Sequence, residues 1–199
     1  MKKKLALMFT AMLLVCVIAV GATIAYLTST PDQVINTFTV GKVGITLDES
    51  DVDEYGSPIP SASPTHGNTY KLIPGHSYVK NPTIHVSGDS EESYLFVKVE
   101  NGLATIEKSA TIAEQMVALG WVKMDDAENI WYLNRTVNAG DEIPVFQTLN
   151  ISETADVENY GDAQIIVTSC AIQAYGFVNA RAAFDTACPA EFYVKPINH

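Results

Sequence analysis

Hydrophobic and polar residues alternate with a period of two along much of this chain. Val43, Ile45 and Leu47 interleave with Gly44, Thr46 and Asp48, and Leu95, Val97 and Val99 interleave with Phe96, Lys98 and Glu100. Pro82, Ile84 and Val86 line one face of a third run, and Val145, Gln147, Leu149 and Ile151 line one face of a fourth. This period is that of a half-buried strand. Residues 165–174 are mostly apolar on both faces, the pattern of a central strand. Residues 130–133 and 192–194 are shorter strand candidates. Two segments change to a helical period. In 111–119, Ile112, Met116 and Leu119 form one stripe, with Thr111 placed to cap its start and Gly120 its end. In 179–187, Ala180, Ala183, Phe184 and Ala187 lie near one face. The helices interrupt the strands rather than alternate with them. The expected fold is therefore all-β, an antiparallel β-sandwich with one or two short helical insertions.

The first thirty residues follow a different rule. Lys2, Lys3 and Lys4 precede an apolar run over 5–20, and small residues follow at Gly21, Ala22 and Ala25. That order is a secretory signal peptide. The preferred cleavage lies between Ala25 and Tyr26, with Thr23 and Ala25 at the positions a signal peptidase reads; cleavage after Ala22 is second. An uncleaved anchor is the alternative, since 5–27 just reaches the length of a membrane span. Val15 before Cys16 argues against lipidation. The chain thus divides into a signal peptide, 1–25, and one sandwich domain, 26–199, exported to the cell surface or beyond. Within that domain 48–66 reads as an acidic loop rich in proline and serine.

Charge narrows the choice of partners. The chain carries 12 basic and 23 acidic side chains, a net charge of −11, and loss of the signal removes three lysines and no acid. Such a surface repels nucleic-acid backbones and anionic lipids, so nucleic acid is excluded as a partner. Export also bears on Cys170 and Cys188, the two cysteines left after Cys16 departs: they either pair in the oxidising compartment or stay as buried thiols. A bridge closing that loop would add about 3 kcal/mol in the chain-entropy account.

Catalytic chemistry finds little support. His66, His76, His85 and His199 are scattered, and no HExxH pair places two zinc ligands on one helix face. Asp48, Glu49, Asp51, Asp53 and Glu54 offer oxygens, but Tyr55 stands where a calcium loop needs its next ligand. No nucleophile elbow or phosphate-binding glycine loop is present. No metal, cofactor or catalytic residue is assigned.

Four segments carry a family resemblance. GATIAYLTST (21–30) resembles the signals processed by the dedicated signal peptidase SipW, and NTFTVGKVGITLDE (36–49) resembles the first strand of the TasA/camelysin family. LIPGHSYVKNPTIHVSGDSEESYLFVKVE (72–100) is similar to that family's sequence of Pro-Gly turn, strand, polar turn and strand, and IIVTSCAIQAYGF (165–177) to its closing strand. The resemblance implies a jelly-roll-like sandwich from a Gram-positive bacterium, a subunit of biofilm-matrix fibres or a surface protein. It implies self-association, with other matrix or surface proteins as further partners. In the fibre-forming members the freed N-terminus inserts as a strand into the next subunit. Here that donor would be 26–38, with Tyr26, Leu27, Val34, Ile35 and Phe38 as its apolar contacts. The family also includes a metallo-endopeptidase, camelysin, so a secreted peptidase is the alternative function, and a monomeric adhesin or binding module a further one. The long 48–66 loop and the cysteine pair depart from the fibre-forming pattern.

Overall fold

The computed structural model describes residues 41–189 and Phe192, all within the compact unit Val40–His199. The proposed cleavage site and donor segment, Ala25 and Tyr26 to Phe38, lie outside the described residues. Nine strands follow in order: β1 (Ile45–Asp48), β2 (Ser77–Val79), β3 (Thr83–Val86), β4 (Ser93–Asn101), β5 (Trp121–Lys123), β6 (Ile130–Val137), β7 (Glu142–Pro144), β8 (Thr148–Asn150) and β9 (Ile165–Gln173). Helix α1 (Ile112–Ala118) lies between β4 and β5, and α2 (Ala180–Ala187) follows β9. All described pairings are antiparallel, so the fold is all-β with two short helices. The sheets run β1-β3-β7, β2-β8 and β5-β6-β4-β9.

The first two sheets join through main-chain bonds. Lys80 N–H donates to Gln147 O and Val145 N–H to Pro82 O, so β2–β3 and β8–β7 form one long pair with a kink. This kink divides the single run expected over Val145 to Ile151. Val145, Leu149 and Ile151 are buried as the alternation predicts, but Phe146 turns inward too, fully buried. The side chain of Gln115 on α1 holds the break open, its Oε1 accepting from the backbone N–H groups of Gln147 and Thr148.

Alternation sets the layers. Ile84, Val86 and Ile143 face Leu95, Val97, Val99 and Leu133 across the sandwich interior, together with Ile112 and Met116 of α1. The opposite face of the four-stranded sheet is also apolar: Phe96, Ile130 and Ile172 pack under Ala180, Ala183 and Phe184 of α2 and under Phe192. Ala187, in the last turn of α2, is exposed and does not join this face. Phe192 sits in a turn rather than in the short strand expected there, and the rest of 193–199 lies outside the described residues.

Both helices start as their sequences specify. The Thr111 hydroxyl accepts from Glu114 N–H at 3.2 Å, and the Glu114 carboxylate accepts from Thr111 N–H at 2.8 Å, which is a reciprocal capping box. Asn179 caps α2 through Ala182 N–H at 2.9 Å. Gly120 ends α1 at φ +90°, a conformation that disfavours any side chain.

The structure corrects one assignment with functional weight. The pattern over residues 165–174 predicts a central strand, but among the described residues β9 pairs only with β4 and is the edge of its sheet. One apolar face is covered along the strand and the other only in its second half, where Ile166 and Thr168 before it remain exposed. Ile165, Val167 and Ala171 pack on the sandwich interior, and Cys170 and Ile172 on the cluster beneath α2. Burial of faces and pairing of edges are independent, and the sequence pattern reports only the first.

Candidate functional site

The backbone of β9 shows which groups its open edge presents. Gln164 O accepts from Gly102 N–H and Ala174 N–H donates to Glu92 O, so even-numbered residues direct their polar groups at β4. Odd-numbered residues, Ile165, Val167, Ser169 and Ala171, therefore aim N–H and C=O away from the sheet. Nine residues give an edge about 30 Å long. Long edges of this kind are templates for another strand.

Two clefts follow this edge. One of about 760 Å³ lies along 164–167 and opens inward to Leu72, Leu103 and Leu149. A second, of about 310 Å³, continues along 168–171 between Val43, Ile45, Pro189 and Phe192. Across the clefts stands β1, also an edge strand. Its end, Leu47 to Glu49, faces 164–167, and its start faces 168–171, so β1 and β9 run in opposite directions. A strand laid between them is antiparallel to only one of the two.

The two edges are not equally available. On β1 the outward groups are those of Ile45 and Leu47, because Gly44 O is turned to Ser87 N–H in the opposite direction. Leu47 O already accepts from His66 Nδ1 at 3.0 Å, and Glu49 exchanges two main-chain bonds with Thr65. The 48–66 loop thus folds back over the far half of the β1 edge. Among the described residues β9 carries the longer unpaired edge.

The other sequence candidates are dispersed. His76 Nε2 is 2.8 Å from Tyr55 O. His85, on the outer face of β3, lies 3.0 Å from Asp48 and 3.5 Å from Glu142, linking three strands. His199 lies outside the described residues. The acidic run is drawn apart as well. Asp48 turns to His85, Glu49 turns inward to Lys80, and Asp53 accepts from the backbone N–H groups of Tyr55 and Ser57. Among the described residues no group of three His, Cys, Asp or Glu side chains is arranged to hold a metal, and no helix is long and apolar enough to cross a membrane. Cys170 and Cys188 are both half-buried and flank the same apolar cluster beneath α2.

Sequence reasoning missed β2, β5 and β7, each three residues long and too short to show a period. It also missed the inward turn of Glu49. The only available signal was its place in a β-period, one position beyond Asp48 on the face of Ile45 and Leu47. No family model, curated protein or solved structure matches this chain.

Proposed function

We propose that this chain is an exported structural subunit that assembles by strand exchange, its N-terminal segment 26–38 docking on the β9 edge of the next copy. One observation carries the reading: Ile165, Val167, Ser169 and Ala171 turn their main-chain groups away from β4, where no other described strand pairs with them, and toward clefts that reach the sandwich interior. Main-chain bonds to Ile165, Val167, Ser169 and Ala171 would supply affinity. Inward pockets for alternate side chains would supply register. Leu103 and Leu149, core residues that line the larger cleft, offer apolar contact to Val34, Ile35 or Phe38 of an incoming strand. The acidic surface suits an extracellular protein that must stay soluble until it is paired. The resemblance to the TasA/camelysin family gives the same reading from the sequence side.

The test uses a chain beginning at Thr39 and a synthetic peptide spanning 26–38. Specific docking stabilises the native state by mass action, about 2.7 kcal/mol at a hundredfold excess over Kd. The peptide is expected to raise the melting temperature, while a scrambled peptide leaves it unchanged. Equal responses to both peptides, or to neither, contradict strand exchange.

A further inference from the structure

Glu49, Asn68 and Lys80 stand in the wall of the larger cleft and carry chemistry that strand docking does not call on. Glu49 is 6 % exposed, and its Oε2 lies 3.0 Å from Lys80 Nζ, whose side chain is 11 % exposed. Its other oxygen, Oε1, accepts from Lys80 Nζ at 3.3 Å and from Asn68 Nδ2 at 3.0 Å. One buried carboxylate thus holds an amine and a carboxamide on either side of a single oxygen. The carboxamide is oriented: Nδ2 also donates to Ser50 O at 2.9 Å, and Oδ1 accepts from Val52 N–H at 3.1 Å. The amine is shielded, lying 5.5 Å above the ring of Tyr70.

These are the parts of an amide-forming reaction. An amine must lose its proton, reach a carbonyl carbon, and expel ammonia. A carboxylate in contact with both nitrogens can carry each proton. A backbone N–H on the carbonyl oxygen stabilises the charge that develops there. Burial of the Glu49 and Lys80 side chains limits the access of water to the carboxylate and the amine.

We propose that Lys80 and Asn68 join in an intramolecular isopeptide bond, with Glu49 as the proton carrier. Lys80 Nζ passes one proton to Glu49 Oε2. The Nζ lone pair then attacks Asn68 Cγ, and the carbonyl electron pair moves onto Oδ1, which accepts from Val52 N–H. Glu49 protonates Nδ2 and takes the second proton from Nζ. The Cγ–Nδ2 bond breaks, and its electron pair leaves with ammonia. The ammonia takes the remaining proton from Glu49 and departs as ammonium. The reaction converts an ammonium group and a carboxamide into an amide and an ammonium ion, and needs no oxidant, metal or second protein. The bond would fasten the loop carrying Asn68 to the end of β2, beside the larger cleft.

Mass spectrometry of the purified full chain tests the proposal without a variant. Intact mass should be lower than the sequence mass by one ammonia. Trypsin should leave 43–71 and 72–98 joined, because acylated Lys80 is no longer cut. Glu49→Gln and Lys80→Arg should each restore the full mass and yield separate peptides. A native chain of full mass, cut at Lys80, overturns the proposal. So does an ammonia loss confined to Asn68 with Lys80 still cut, since that marks a succinimide rather than a cross-link.

Discussion

Proline placed at adjacent positions of β9 separates the edge that stabilises the monomer from the edge that would receive a partner. Thr168 stands opposite Lys98 in the β4–β9 register, and the alternation turns its N–H toward that strand. Ser169 turns its N–H outward. Thr168→Pro removes a ladder bond and leaves the Lys98 carbonyl without its donor, a cost of about 1–3 kcal/mol before any ring clash. Ser169→Pro removes no main-chain bond among the described residues, and edge strands tolerate proline on the outward side. Its effect falls on assembly. One main-chain bond worth about 0.5–1.5 kcal/mol is lost, and a donor carbonyl left unpaired costs about 1–3 kcal/mol more. Together these weaken association by roughly ten-fold to a thousand-fold, at 1.4 kcal/mol per factor of ten. Thermal melts of a chain beginning at Thr39 report the first effect, and sedimentation of 26–199 reports the second. The expected result is a Ser169→Pro protein that melts near the native chain yet fails to assemble, beside a Thr168→Pro protein that melts well below it. Native-like assembly of Ser169→Pro would refute the assignment of β9 as the receiving edge.

Three further outcomes follow from the packing and the charges. Phe96→Ala empties a fully buried site 5.2 Å from the ring of Phe184 and should cost about 3–5 kcal/mol in denaturant melts; a loss below 1 kcal/mol would mean that α2 does not seal that face. Burial, with a smaller contribution from Glu114, raises the Glu107 pKa above the ordinary glutamate value. A carboxyl shifted upward adds stability that is full below its unfolded pKa and is lost as pH rises through the folded one. The native chain should therefore gain on Glu107→Gln as pH falls from 7 toward 4, and a difference independent of pH would contradict this. Cys170 and Cys188 pack against one cluster, and alkylation of an exported sample decides their state: resistance at both until a reductant is added marks a bridge, and full labelling without reductant excludes one.

How much of this was legible in the sequence depended on which physical feature left a period behind. Ile84, Val86, Leu95, Val97 and Val99 point inward as their alternation requires, because each strand turns one face to the sandwich interior. The Thr111–Glu114 cap and Gly120 act through local geometry, and both ends of α1 were readable. The register of the sheets was not, since pairing between β4 and β9 joins residues far apart in sequence and leaves no local trace. That is why β9 read as central: Val167 and Cys170 are covered from opposite sides, and nothing in their order says whether a neighbour lies alongside. The meeting of Glu49, Asn68 and Lys80 was invisible for the same reason, since it depends on the bridge between Glu49 and Thr65.

Strand exchange is tested most directly by incubating recombinant 26–199, with fractions taken over time for sedimentation and for electron microscopy of any high-mass material. The account predicts regular fibres from this chain and none from the chain beginning at Thr39. A persistent monomer from 26–199, or equal fibres from both chains, would contradict it.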